Sequence, residues 1–190
     1  MHFQSVALSD RGLNREINED SAWIGSQIIA VADGLGGHAG GEVASAIVIN
    51  GLAKADKKEF TKESVHDLVI EITAKANSEI AKTIKESPKL KGMGTTLTSL
   101  IATEDKVALI HIGDSRCYQF RDGKLTQLSK DHTLVQELID QGRLSVEDAT
   151  LQSVGRNLRE RKMDTISSVS ASTGLHARAS RRSDARASRS

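Results

Sequence analysis

The sequence predicts an α+β fold in which antiparallel β-sheets carry helices on their outer faces. Apolar runs with strand character occur at the start of the chain and again after Pro88. Between them, two segments repeat apolar residues every three or four positions, as helices with one buried face do. The later strands follow one another through short turns, and such turns join antiparallel neighbours.

The first 41 residues predict strands and loops. His2–Leu8 and Ser21–Ile24 each have the character of a short strand, with a turn-rich loop between them. Residues 27–32 (QIIAVA) are nearly all apolar, which is typical of a central strand buried on both faces. This run ends at Asp33 and continues into the glycine-rich loop DGLGGHAGG. The sequence therefore places a carboxylate at the end of a buried strand.

Two helices are predicted next. The first extends from Glu42 to about Ala55, and the second from Thr61 to Glu86. Thr61 is the expected N-cap of the second helix, because a threonine hydroxyl can accept a hydrogen bond from a free backbone N–H. Pro88 marks its end. One apolar stripe runs along this helix and is made of Val65, Leu68, Val69, Ile72, Ala76, Ile80 and Ile84.

Beyond Pro88 the apolar pattern changes to a period of two, which indicates strands. Asp122-Gly123 separates two of these strands and predicts a tight hairpin, since both residues tolerate positive φ angles. A short helix is expected over Thr133–Gln141, ended by Gly142. The predicted strands are Thr96–Ala102, Val107–Ile112, Arg116–Arg121 and Lys124–Leu128.

From Thr150 onward the character of the sequence changes. This segment contains no aromatic residue and no proline, and its last third consists almost entirely of arginine, serine and alanine. It has too little apolar surface to offset the entropy of ordering the chain. We therefore expect residues 150–190 to be a disordered tail. An arginine-rich arm of this kind could bind RNA, but it lacks the aromatic side chains on which bases stack.

Composition limits the partners. The 190 residues carry 26 basic and 25 acidic side chains, a net charge of +1, so no global basic field points to nucleic acid. No signal peptide or membrane-spanning run is recognisable. The single cysteine, Cys117, excludes an intrachain disulfide and fits a reducing compartment. We therefore expect a cytoplasmic protein without a nucleic-acid or membrane partner.

Acidic residues stand where the predicted strands begin or end. Glu19 and Asp20 precede one strand, whereas Asp33 and Asp114 follow two others. Carboxylates and backbone carbonyls are the ligands that Mg²⁺ and Mn²⁺ prefer. Arg15 could hold a phosphate through its planar guanidinium. Each feature alone has a more common explanation, because acids in loops are usually solvated or cap helices. The glycine-rich loop also lacks the endings of known nucleotide-binding motifs.

The combination of motifs is far more specific than any single one. REINEDS (15–21), VADGLGGHAGGEVAS (31–45), GMGTTL (92–97) and HIGDSRCYQFRDGKLTQLSKDHT (111–133) follow one another in this order. Together they resemble the bacterial branch of the metal-dependent protein serine/threonine phosphatases, the PPM family, from about residue 4 to about residue 149. The resemblance implies a sandwich of two antiparallel sheets flanked by helices. It also implies hydrolysis of phosphoserine and phosphothreonine in proteins, through a water activated by two Mn²⁺ or Mg²⁺ ions.

The resemblance also assigns roles to individual residues. Asp33 corresponds to the carboxylate that bridges two ions, and the Gly34 carbonyl to a ligand of one of them. His38 is a candidate general acid, and the Asp131-His132 pair is structural or related to the flap over the site. The other correspondences are Glu19 and Asp20 (waters bound to the ions), Arg15 (substrate phosphate) and Asp114 (a third, weaker metal ion). The expected partners are phosphorylated proteins, the substrates of a serine/threonine kinase.

The sequence departs from the family pattern after about residue 149. Two further aspartate ligands, in an SDG-type and a DN motif, have no counterpart in residues 150–190. We therefore expect residues 1–149 to be the N-terminal two-thirds of the phosphatase domain, truncated or frame-shifted into an unrelated tail. This departure leaves an alternative open, a catalytically inactive fragment or a pseudo-enzyme that binds phosphoproteins.

Overall fold

The computed structural model describes residues 3–13, 16–37, 39–56, 60–133, 136 and 140–142, together with the backbone of 166–172. In chain order, its strands and helices are β1 (Gln4–Asp10), β2 (Asp20–Ile24), β3 (Ile28–Leu35), α1 (Gly40–Ala55), α2 (Lys62–Glu86), a 3₁₀ helix (Pro88–Leu90), β4 (Gly94–Thr95), β5 (Leu97–Ala102), β6 (Val107–Ile112), β7 (Tyr118–Arg121), β8 (Lys124–Gln127) and β9 (Ile166–Ser172).

The strands form one large sheet and two small ones. The large sheet has the order β2-β3-β5-β6, with β4 also paired to β3. The small sheets are β1-β9 and the β7-β8 hairpin. Every pairing among these strands is antiparallel. The predicted α+β class with antiparallel sheets is therefore confirmed.

Helix α2 begins and ends where the sequence predicts. The Thr61 hydroxyl accepts a hydrogen bond from the Ser64 amide at 3.2 Å, and the Ser64 hydroxyl accepts one from the Thr61 amide at 2.8 Å. This reciprocal capping box satisfies two amides that the first helical turn leaves without partners. Helix α1 begins at Gly40, two residues before the predicted Glu42, and both Gly40 and Gly41 are buried in its first turn.

The main core lies between the large sheet and α1, with α2 packed against both. Ile28 and Ile101 on β3 and β5 have no exposed surface and anchor the sheet side of this core. Ile72 and Ala76 contribute the apolar stripe of α2. The remaining members are Ala30, Ala32, Val48, Ile49, Leu52, Phe60, Val65 and Leu97. No helix among the described residues is long and apolar enough to cross a membrane.

The predicted hairpin turn is confirmed by its backbone angles. Asp122 and Gly123 both adopt positive φ, at 51° and 75°, between β7 and β8. Two consecutive residues of this kind match the twist of the strands on either side. The hairpin is exposed along its length, with Phe120 at 72 % and Leu125 at 63 % exposure.

Strand β9 lies inside the segment that the sequence predicts to be disordered. Its backbone pairs with all seven residues of β1, from Gln4 opposite Ser172 to Asp10 opposite Ile166. For Ile166–Ser172 the structure therefore differs from the prediction. A strand that joins a free edge is held by main-chain hydrogen bonds, which need no apolar pattern in the sequence. The rest of residues 143–190 lies outside the described residues, and the boundary at residue 149 stays a prediction.

A single carboxylate ties the C-terminal end of α1 to the turn between β2 and β3. Asp56 Oδ1 accepts hydrogen bonds from the amides of Gln27 and Ile28, at 3.0 and 2.7 Å. Its Oδ2 accepts from the Ser26 amide at 3.0 Å and from Trp23 Nε1 at 3.3 Å. Charge-assisted hydrogen bonds of this kind are roughly twice as strong as neutral ones. The sequence analysis did not single out Asp56.

Replacement of Asp56 by alanine tests this connection. We expect Asp56→Ala to lower the free energy of unfolding by about 2–4 kcal/mol, because four donors lose their acceptor. Urea denaturation followed by circular dichroism measures the change. Asp105→Ala, in an exposed turn, is the matched control, and equal stabilities of the two variants would contradict the proposed role of Asp56.

Candidate active site

Strands β2 and β3 place two aspartates directly opposite each other. Asp20 is the cross-strand partner of Asp33. The next pair along the strands is joined by a hydrogen bond, from the Gly34 amide to the Glu19 carbonyl at 3.2 Å. In antiparallel sheets, pairs with and without hydrogen bonds alternate, and side chains are closer in those without. The Asp20 and Asp33 carboxylates therefore lie on the same face of the sheet, where β3 ends and β2 begins.

Glu19 lies against the first turn of α1. A methyl group on Gly41 would come within 2.7 Å of Glu19 Oε1, and one on Gly34 would overlap the Gly41 carbonyl. Only glycine at both positions allows β3, α1 and the Glu19 segment to approach so closely. The positive end of the helix dipole favours a carboxylate at this place. The glycine-rich loop thus serves to bring α1 onto the acidic strand ends.

The buried Ser45 holds the Glu19 backbone from the helix side. Its hydroxyl group has no exposed surface and donates to the Glu19 carbonyl oxygen at 2.7 Å. The Ser21 hydroxyl lies 2.9 Å away on β2. Ser45 lies within a motif that supported the family resemblance, but the sequence analysis gave it no role. Its contribution depends on a contact between residues 26 positions apart.

Thr96 fixes the backbone of Asp33 on the opposite side. The Asp33 amide donates to Thr96 Oγ1 at 2.9 Å, and the Thr96 amide donates to the Asp33 carbonyl at 2.9 Å. The Thr95 hydroxyl donates to the same carbonyl at 3.0 Å. These contacts explain why the motif GMGTTL accompanies the aspartate motif, although the two lie about 60 residues apart in the sequence.

The loop that carries Asp114 is linked to Asp33 through the same threonine. Thr96 Oγ1 lies 2.8 Å from the Ser115 hydroxyl, and the Thr98 hydroxyl donates to the Ser115 carbonyl at 3.3 Å. Gly113 adopts a φ of +104°, which turns the chain sharply after β6. Asp114 itself is exposed. The structure thus brings residues 113–117, which we call the Asp114 loop, beside the end of β3.

The predicted site residues are therefore partly brought together. Four of them lie together where β3 ends and β2 begins: Glu19, Asp20, Asp33 and Gly34. Thr96 joins this group to the Asp114 loop, because its hydroxyl contacts both the Asp33 amide and the Ser115 hydroxyl. Arg15 and His38 lie outside the described residues. Within the described part of the chain, no group of three or more His, Cys, Asp or Glu side chains is arranged to hold a metal ion.

The carboxylates of Asp20 and Asp33 are the type of ligand that a hard divalent cation prefers. Two like charges directly opposite on neighbouring strands destabilise a sheet, and a bound cation removes that repulsion. All the side-chain donors are carboxylate oxygens, the ligands of Mg²⁺ and Mn²⁺ rather than of softer metals. The facing pair supplies two carboxylates of such a ligand set.

The chain belongs to the protein phosphatase 2C family, whose sequence profile matches residues 16–173. It is a serine/threonine protein phosphatase by family. Its sequence is 50 % identical over 144 residues to the serine/threonine protein phosphatase PstP of Mycobacterium tuberculosis, covering 76 % of this chain and 28 % of PstP. It is 37 % identical over 149 residues to the serine/threonine phosphatase stp of Listeria monocytogenes, covering 74 % and 59 %. The chain thus spans less than two thirds of the length of these relatives.

Solved structures agree with this assignment. The crystal structure of the M. tuberculosis serine/threonine phosphatase PstP/Ppp superimposes with a TM-score of 0.73 and 38 % identity, covering 91 % of this chain and 75 % of that one. The catalytic domain of PstP in complex with two manganese ions gives a TM-score of 0.72 and 40 % identity, covering 90 % and 74 %. The predicted resemblance to bacterial metal-dependent phosphatases is therefore confirmed.

Substitution of Thr96 tests whether its hydroxyl group holds the Asp33 backbone in place. Replacement by valine keeps the shape of the side chain but leaves the Asp33 amide and the Ser115 hydroxyl without this partner. We expect Thr96→Val to lower the free energy of unfolding by about 1–3 kcal/mol, and Thr96→Ser, which keeps the hydroxyl, to cost much less. Thermal denaturation of both variants distinguishes them. A valine variant as stable as the unaltered chain would contradict the role of the hydroxyl group.

Proposed function

We propose that this chain hydrolyses phosphoserine and phosphothreonine in proteins, using two bound Mn²⁺ or Mg²⁺ ions and a weaker third. The observation that carries this proposal is the facing pair Asp20–Asp33 at the end of the sheet. It supports a cation site because it gathers negative charge on one face of the sheet, next to a backbone held by Thr96.

We assign the ligand roles as follows. Asp33 would serve as the carboxylate shared by two ions, and the Gly34 carbonyl would be a ligand of one of them. Glu19 and Asp20 would accept hydrogen bonds from waters around the ions, and Asp114 would bind the third ion. The cross-strand position of Asp20 and Asp33, and the contact of Glu19 with the first turn of α1, support the first three of these carboxylate roles. Asp114 receives its support from the Thr96–Ser115 contact.

The chemistry that such ions would supply when bound is a water molecule activated as a nucleophile, together with positive charge beside the phosphate oxygens. In this proposal Arg15 orients the substrate by two parallel hydrogen bonds to its phosphate. His38 donates a proton to the serine or threonine oxygen that leaves. Asp33, held through both its amide and its carbonyl, keeps the ligand arrangement rigid during the reaction.

The proposed substrates are phosphorylated proteins that a serine/threonine kinase has modified. The names of the relatives, which describe serine/threonine protein phosphatases, support this class of substrate. A kinase that produces the phosphoproteins would share their compartment, which we propose to be the cytoplasm.

A second candidate is a catalytically inactive fragment or a pseudo-enzyme that binds phosphoproteins. It is favoured by the carboxylates of the described residues, which do not reach a group of three around one point. It is also favoured by the expected lack of the two later aspartate ligands. Binding of a phosphopeptide without turnover would separate this candidate from the first.

Turnover of a phosphothreonine peptide by the purified chain tests the proposal. We expect release of phosphate that requires added Mn²⁺ and falls by at least about 100-fold in Asp33→Asn, because the amide is a poor bridging ligand. Malachite-green detection of phosphate, with and without a chelator, measures the rate.

Asp105→Asn, in the exposed turn between β5 and β6, is the matched control and should keep full activity. Turnover that survives both the chelator and Asp33→Asn would contradict the metal site. No turnover in a folded sample that still binds the peptide would support the second candidate.

A further inference from the structure

The residues that follow β8 return along the loop that carries Asp114. The Asp114 loop comprises residues 113–117, and we call residues 128–132 the return segment. Three separate connections join them, at Gly113–His132, at Arg116–Asp131, and at Cys117 with Leu128 and Ser129. Asp114 is exposed, whereas both of its neighbours are held in place by other residues.

His132 binds Gly113 twice. The His132 amide donates to the Gly113 carbonyl at 2.8 Å, and the Gly113 amide donates to His132 Nδ1 at 3.3 Å. Because Nδ1 is the acceptor, the proton of the neutral ring lies on Nε2. The ring also packs against His111, with 5.0 Å between the ring centroids, and His111 Nδ1 lies 3.0 Å from the Thr98 hydroxyl. These contacts set the orientation of the His132 ring.

Asp131 secures the same segment from the other side of the loop. Arg116 donates to both Asp131 oxygens, through Nε at 3.1 and 3.0 Å and through Nη2 at 2.7 Å. These hydrogen bonds to Asp131 are the main cause that raises the pKa of Arg116 above its ordinary value. The Asp131 side chain is only 13 % exposed, whereas the Arg116 side chain is 53 % exposed, so the carboxylate and not the guanidinium is shielded from water.

We propose that His132 is a positioning residue for Asp114, assisted by the Arg116–Asp131 pair. The return segment holds Gly113, and Thr96 and Thr98 hold Ser115, so the backbone on both sides of Asp114 is anchored. Anchoring of this kind raises the affinity of a carboxylate for a cation, because less freedom is lost on binding. The inference rests on the proposed function for the cation, but the anchoring can be measured without it.

Two conservative variants of His132 separate the acceptor from the bulk of the side chain. The Asn side chain places its oxygen near the position of Nδ1, whereas the Gln side chain extends toward the position of Nε2. In the metal-free chain, we expect His132→Gln to speed hydrogen exchange of the Gly113 amide by about ten-fold and His132→Asn to leave it nearly unchanged. His66→Gln, at an exposed position on α2, is the matched control. Equal exchange rates in His132→Gln and His66→Gln would overturn the proposal.

The cation is tested in a double-mutant cycle. We expect His132→Gln to weaken the weakest Mn²⁺ site by about ten-fold in titration calorimetry, and to have no further effect when Asp114→Asn is present. Full additivity of the two changes would show that His132 does not act through Asp114 and would overturn the positioning role. Failure of the unaltered chain to bind Mn²⁺ would refute the proposed function instead, and the exchange rates would still decide whether His132 holds the loop.

Discussion

The arrangement of the site depends on the register between β2 and β3. Side chains alternate between the faces of a strand, so a slip of one residue would move Asp20 to the face opposite Asp33. Contacts at both ends of the pair secure this register. At the turn, Asp56 binds three consecutive amides, and at the open end the Glu19 carbonyl accepts from Gly34 and from Ser45. Ser45 lies in helix α1 and Asp56 is its C-cap residue, so the helix and its C-terminal end together hold the register between β2 and β3.

The second constraint is the set of hydrogen bonds by which threonine and serine hydroxyls connect the Asp33 backbone to the residue after Asp114. Thr96 contacts the Asp33 amide and Ser115, and Thr98 contacts Ser115 and His111. Thr96 directly precedes β5, the strand between β3 and β6, and Thr98 is the second residue of this strand. Because the sheet is antiparallel, the end of β3, the start of β5 and the end of β6 meet at one edge. A short set of side chains can therefore join acidic residues that lie about 80 positions apart.

Collecting carboxylates at one sheet edge costs stability unless a cation offsets the repulsion. In the described structure, neutral groups surround these carboxylates. Two glycines allow the backbones to approach closely, and serine and threonine hydroxyls form hydrogen bonds with backbone amides and carbonyls. Such groups add no charge of their own, so they leave the negative potential of the carboxylates available to a ligand. The carboxylates thus carry the charge while neutral residues hold the backbone, which explains why glycine, serine and threonine surround the acidic motifs in the sequence.

The sequence by itself determined the class of the fold, the limits of α2, the hairpin turn at Asp122-Gly123 and the family. These features depend on local periodicity, on capping and turn chemistry, and on motifs that are contiguous in the chain. Only the tertiary structure decided that Asp20 faces Asp33, that Asp56, Ser45 and Thr96 hold the site, and that His132 binds Gly113. It also decided that Ile166–Ser172 pairs with β1. Each of these depends on hydrogen bonds between residues distant in sequence, which leave no periodic signal in the chain.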